Sequence, residues 1–416
     1  MTTDQNLVII GASLAGAKAA EGARAGGFDG RVMLIGDEHE PPYERPPLSK
    51  AVLRSEAAPE TTRVHDATFY ATHDIELRTG RTVEALDPDR HQVRLDGDEI
   101  VSFTTAVLAT GAAPRRLDVP GADLGGVYYL REIDDARRLG DAIRGARRVA
   151  VVGAGWIGSE VAASARQMGA EVVLIDPSPL PLHRVLGDDI GEVFRRLHAD
   201  NGVTLRLGTS VAELRGKANV EHVVLTDGRV ETADVVVIGV GVTPRVELAA
   251  TAGLKVDNGI VVDEFLETSA PGVYAAGDVA SAWHPHYGRH LRVEHWSNAL
   301  NQGIAAGTIA AGTNAAGTIA AGDRNGYTRL PYFFSDQYDL GMEYVGYSDP
   351  ADAVVVRGSL EDREFVAFWH RDGIVTAAMH ANVWDVVDDL KAIVASGRAL
   401  EPSRLADPAV ALGDLT

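Results

Sequence analysis

Two apolar strands that each run into a glycine-rich turn constrain this chain more than any other feature. They are "LVIIGASLAG" at residues 7–16 and "VAVVGAGWIGSE" at 149–160. In the second, Gly153, Gly155 and Gly158 fill all three positions of the G-x-G-x-x-G pattern. The first glycine permits a tight turn, the second lets a pyrophosphate approach the backbone, and the third lets helix and strand pack closely. Phosphate then sits on the unpaired N–H groups at the helix N-terminus, with Ile157 in the same turn as a further candidate contact. The next strand, "EVVLID", ends at Asp176. A carboxylate there accepts hydrogen bonds from a ribose diol and repels a 2′-phosphate, so the site is expected to prefer NADH to NADPH.

The first turn keeps Gly11 and Gly16, but Ser13 replaces the middle glycine. Its Cβ crowds a pyrophosphate slightly, while its hydroxyl can donate to one. A serine turn in a purely structural βαβ unit is the alternative. A third element favours a cofactor: "TSAPGVYAAGDVA", residues 268–280, is a buried-strand run ending in Gly277 and Asp278. An aspartate presented there at a helix start suits the ribityl chain of a flavin.

At 416 residues the chain is too long for one core. Short β-rich runs alternate with Ala-rich helical patterns, which favours parallel sheets covered by helices. "AVLATGAAP" (106–114) and "VVVIGVGVTP" (235–244) leave apolar strands through glycine and stop at proline, as expected where a chain crosses between domains. Thr110, Gly111 and Gly241 lie in these exits. Beyond Tyr327, "EFVAFWH" and "GIVTAAMH" read as antiparallel strands and "VWDVVDDLKAIVASG" as a helix. The expected fold class is α/β: two Rossmann-like dinucleotide-binding domains plus a small α+β C-terminal domain. Residues 1–112 and 243–325 would form the first domain, 113–242 the second and 326–416 the third.

Lys plus Arg number 39 against 59 Asp plus Glu, a formal net charge of −20. That balance argues against non-specific nucleic-acid or anionic-membrane binding. No run of about 18 apolar residues suggests a membrane span, and the early first strand leaves no room for a signal peptide, so a cytoplasmic location is expected. The absence of cysteine removes thiolate metal sites and thiol redox chemistry together. Electrons handled here must travel on a bound cofactor. "HPH" at 284–286 lacks a nearby acid or cysteine of ligand spacing, so no metal site is expected.

Residues 305–324 repeat with a five-residue period, AAGTI-AAGTN-AAGTI-AAGDR. Five matches neither the helical nor the strand period, and each glycine costs a helix about 1 kcal/mol relative to alanine. A tandem duplication that lengthens a surface helix or its following loop is the expectation.

With these motifs in place the chain resembles the FAD-dependent NADH:ferredoxin reductases that serve bacterial oxygenases, the putidaredoxin reductase-like branch of the glutathione-reductase-fold superfamily. The resemblance rests on "GASLAG", "PPYERPPLSK" (41–50), "VLATG", "GAGWIGSE", "VYAAGD", "VEHWSNALNQG" (293–303) and "PYFFSDQYDLGMEYVG" (331–346), and spans essentially the whole chain. It implies FAD contacts at Ala15, Asp37, Lys50, Val83, Arg131, Asp278 and Trp296. Asp37 would bind the adenosine ribose, and Lys50 would sit beside the flavin and pair with Glu160. Arg45 and Arg184 join the implied cofactor contacts. Phe334 stands where relatives often carry tryptophan. Lys50 and Glu160 are the catalytic candidates, Lys50 stabilising negative charge on reduced flavin; a plain structural ion pair is the alternative for Glu160. The implied activity carries a hydride from NADH to FAD and single electrons onward to an iron–sulfur ferredoxin. An NADH oxidase, or an NADH-binding flavoprotein sensor without that partner, is the alternative. Docking an acidic ferredoxin calls for a local basic patch, for which Arg289, His290 and Arg292 are candidates. A monomer or weak dimer is expected.

Overall fold

The computed structural model describes residues 5–312 and 326–416. The chain divides into two compact units. Unit 1 comprises residues 1–44, 60–113 and 243–331; unit 2 comprises 45–59, 114–242 and 332–416. The chain thus passes between them at Ala113–Pro114 and Val242–Thr243, inside the two glycine-to-proline exits. The segment 45–59 and the C-terminal domain both belong with unit 2.

In unit 1 five strands form a wholly parallel sheet in the order Val273–Ala275, Thr105–Leu108, Asn6–Ile10, Arg31–Ile35, Ile75–Arg78. Continuous apolar runs such as Leu7–Ile10 are needed because both faces of a parallel sheet are covered; all four of these residues are buried. The helix Leu14–Ala25 covers the sheet and packs on the helix Trp296–Ala311. A Cβ added to Gly307 would lie 1.9 Å from the Ala19 carbonyl oxygen, and one added to Gly22 would lie 2.3 Å from that of Ile304. The small residues therefore form a close helix–helix contact rather than merely weakening a helix. This finding covers the start of the pentad repeat; residues 313–324 lie outside the described residues.

Unit 2 repeats the plan. Its parallel sheet runs Thr204–Leu207, Glu171–Asp176, Arg148–Val152, Val235–Ile238, Val127–Tyr129. Beside it lies a five-stranded antiparallel C-terminal sheet: Tyr332–Gln337, Leu340–Gly346, Ile374–Ala381, Glu364–Arg371, Ala353–Ser359. The two strands read from the sequence pair antiparallel as expected. The following helix is shorter than its apolar pattern, starting only at Val387 and ending at Ser396. Asp385 has φ of 64°, which a right-handed helix cannot contain, and Gly397 at φ of 60° closes the other end. The helix His183–Asp200 seats Leu186, Ile190 and Phe194 in one core with Phe333, Tyr344 and Trp369 of the C-terminal sheet. Trp156 joins it, with ring centroids 4.6 Å from Phe333.

Candidate functional site

The two glycine turns have nearly the same geometry. Gly11 and Gly153 hold φ of 113° and 104°, and an added Cβ would lie 2.1 Å from Ala109 O and 2.3 Å from Gly239 O respectively. Gly16 and Gly158 press on the turn itself: a Cβ would lie 1.9 Å from Gly11 O and 1.8 Å from Gly153 O. The middle position is different. A Cβ at Gly155 meets nothing within 4 Å, so this backbone faces open space. Gly155 and Ser13 are the N-cap residues of the helices Trp156–Gln167 and Leu14–Ala25, and neither helix has a side-chain cap bond. Helix N–H donors left without a side-chain acceptor suit a pyrophosphate. Both turns therefore fit dinucleotides.

In unit 1, Ala15 and Gly16 open the first helix. Asp278 stands in the single turn Gly277–Val279, with Gly277 at φ of 81° and its N–H donated to Gln302 Oε1 at 2.9 Å. A Cβ on Gly277 would lie 3.0 Å from the Ala15 Cβ, which brings the third element up to the first glycine turn. Trp296 starts the helix that packs on this turn's own helix. Its N-cap, His295, is partly buried; desolvation lowers its pKa to about 4 although Asp278 pulls upward. Asp37 follows the second strand, 3.1 Å from Arg245 Nη1. The Arg245 backbone carbonyl accepts from Thr110 Oγ1 at 2.8 Å and its backbone N–H donates to Gly111 O at 2.9 Å. This arginine, just past "VVVIGVGVTP", escaped the sequence reading. Val83 lies apart from the parallel sheet, in a three-stranded antiparallel one.

In unit 2, Asp176 has two backbone partners. Its Oδ2 accepts from the Ala154 N–H and its Oδ1 from the Ser178 N–H, both at 2.7 Å. The carboxylate braces the glycine turn as well as standing at the strand end. Gly241, at φ of 98°, offers its carbonyl to the Arg115 N–H. Arg184 is exposed in the first turn of its helix, and Ile157 is exposed beside Gly155. Arg45 donates to the Arg131 carbonyl.

A charge pair joins Glu160, on the helix that follows the glycine turn, to Lys50 of the segment 45–59. Lys50 Nζ is 2.8 Å from Glu160 Oε2, with the two side chains 14% and 5% exposed. Ser49 Oγ donates to the same oxygen at 2.5 Å, and Ser335 Oγ donates to Oε1 at 2.8 Å. Lys50 Nζ also donates to Pro46 O at 3.2 Å and lies 5.8 Å from the centroid of the Phe334 ring. Neither serine was singled out from sequence, although "PPLSK" and "PYFFSDQ" contain them.

The candidate docking patch needs correction. The Arg292 side chain is only 9% exposed, ion-paired with Glu294 and donating to the Asp278 carbonyl, so it is a structural cation rather than a surface one. Arg289 and His290 are exposed on the strand Arg289–Leu291. His284 is buried with Nε2 3.1 Å from Arg329 O. No cluster of three metal-ligating side chains occurs among the described residues, and none of their helices is long and apolar enough to cross a membrane.

Comparison with known proteins agrees with the two-cradle architecture. The family model described as pyridine nucleotide-disulphide oxidoreductase matches residues 5–303, and the one described as reductase C-terminal matches 332–416. The chain is 39% identical over 408 residues to the ferredoxin–NAD(+) reductase component of the anthranilate 1,2-dioxygenase system of Burkholderia cepacia, covering 97% of this chain and 98% of that protein. It is 35% identical over 421 residues to putidaredoxin reductase of Pseudomonas putida, covering 100% and 97%. The solved covalent putidaredoxin reductase–putidaredoxin complex superimposes with a TM-score of 0.92 at 34% identity, covering 100% of this chain and 98% of that one.

Proposed function

The chain belongs to the pyridine nucleotide-disulphide oxidoreductase family, and from that premise we propose that it is an FAD-dependent NADH:ferredoxin oxidoreductase. The observation that carries the reading is the pair of glycine turns, each backed by its own parallel sheet, in a chain without cysteine. Two turns imply two dinucleotides, and the missing thiols send the electrons to an external acceptor. The relatives named above supply its class, an iron–sulfur ferredoxin feeding an oxygenase.

FAD accepts a hydride and releases electrons singly; the protein supplies binding, orientation and electrostatics. Gly11, Ser13 and Gly16 would hold the FAD pyrophosphate against the first helix, with Asp278 on the ribityl chain and Asp37 on the ribose. Gly153, Gly155 and Gly158 would hold that of NADH. Asp176 would turn away a 2′-phosphate by like charge while bracing the turn through Ala154. Lys50 would stabilise negative charge on the reduced flavin, with Glu160 holding the ammonium in place.

The test is anaerobic stopped-flow absorbance of the yellow protein mixed with NADH, then with a two-iron, two-sulfur ferredoxin. Rapid bleaching and rapid reoxidation by ferredoxin support the assignment. Bleaching that no ferredoxin reverses would move it to an oxidase or a sensor.

A further inference from the structure

The Lys50–Glu160 pair has a third participant from another part of the chain. The geometry points to Ser335, backed by Gln337 on the strand Tyr332–Gln337 of the C-terminal domain, as a positioning residue that holds Glu160 in the orientation that keeps Lys50 in place. This deepens the proposed function and rests on its assignment of Lys50 to the reduced flavin.

The Glu160 carboxylate is almost completely buried, as are Ser49, Ser335 and Gln337. Its two oxygens are supplied unequally. Oε2 receives both Lys50 Nζ and Ser49 Oγ, whereas Ser335 Oγ is the donor to Oε1 among the described residues. Ser335 in turn accepts from Gln337 Nε2 at 3.3 Å. A serine hydroxyl has one proton, so a donor behind it aims that proton at Glu160. Without Ser335, Oε1 would be a buried carboxylate oxygen with no donor, a costly state. The group relieves it by rotating, and rotation draws Oε2 away from Lys50. Ser335 is 175 residues from Glu160 in sequence, so the C-terminal domain here completes the charge pair as well as the core beneath it.

The experiment compares Ser335→Ala, Ser335→Thr, Gln337→Met and Lys50→Met in the FAD-loaded protein. It reads the flavin midpoint potential, the rate of flavin reduction at saturating NADH, the NADH dissociation constant and the melting temperature. Loss of one hydrogen bond to a charged group predicts flavin reduction slowed about tenfold in Ser335→Ala, with NADH affinity within about twofold of wild type. The potential should move to a more negative value, and Ser335→Thr, which keeps the hydroxyl, should restore both. Gln337→Met should act in the same direction, less strongly, and decides the matter if Ser335→Ala fails to fold. A merely structural role would lower the melting temperature and leave the potential unmoved, which would overturn the proposal. If Lys50→Met changes rate and potential while Ser335→Ala changes neither, the positioning role is wrong and the Lys50 assignment stands. If Lys50→Met changes neither, that assignment itself fails and the role of Ser335 falls with it.

Discussion

A methyl group added at Gly158 would sit 1.8 Å from the carbonyl oxygen of Gly153, whereas one added at Gly155 meets nothing within 4 Å. The same chemical change should therefore separate stability from binding. Gly158→Ala should destabilise unit 2 by about 1–3 kcal/mol through overpacking against backbone that cannot yield. Gly155→Ala should leave the melting temperature unchanged and weaken NAD(H) about tenfold or more, since its Cβ would enter the open space that the proposed function gives to the pyrophosphate. Calorimetric melting and NADH titration of both variants check this; equal melting losses would refute it. Asp176 braces the turn and, in the proposed function, also meets the ribose, so Asp176→Ala should lower NADH affinity and also cost about 1–3 kcal/mol through the unbonded Ala154 and Ser178 amides. An arginine introduced nearby should shift preference toward NADPH; unchanged selectivity in paired kinetics would show that Asp176 is not the reader. The glycine spacing made these positions legible. The bracing of the loop was not, because a carboxylate at a strand end reads the same whether it faces a ribose or its own backbone.

At the scale of elements, periodicity and punctuation located most strands and helices, since apolar runs followed by glycine have few other structural solutions. The helix after the last strand illustrates the limit: its apolar pattern begins at Val383, but the left-handed Asp385 delays the helix to Val387. The glycines of the helix Trp296–Ala311 show another. A five-residue period looks unfavourable on one helix, yet Gly307 of the repeat, with Gly303 just before it, lets the helix lie against Leu14–Ala25 at backbone distance. Gly307→Ala should therefore destabilise unit 1 by about 1–3 kcal/mol, despite alanine's better helix propensity. Urea unfolding measures it. A neutral or stabilising result would show that the two helices can separate at little cost.

Across the whole molecule, burial sets the acid response. Desolvation lowers His198 and His295 to about 4, against about 6.5 in an unfolded chain. The unfolded chain binds more protons between these values, so this stability is fully present above pH 6.5 and is lost as pH falls toward 4. The loss is at most about 3 kcal/mol per histidine. Melting temperature should drop between pH 6.5 and 4.5, and His198→Gln should flatten part of that drop; an unchanged slope would refute the attribution. Glu192, held at about 2 by hydrogen bonds from Arg195 and Arg196 against a partial desolvation, loses its contribution only at lower pH and leaves this window clear. The sequence by itself marked the two glycine turns and their strands, because spacing among neighbouring residues spells them out, and its lack of cysteine removed thiol chemistry. Only the tertiary structure decided what faces the Glu160 carboxylate, why Arg292 is no docking cation and which glycines are contacts. The Ser335–Glu160 bond and the approach of Gly307 to Ala19 join groups far apart in the chain, and the pairing of Arg292 with nearby Glu294 follows no period, so none of them leaves a periodic trace in it.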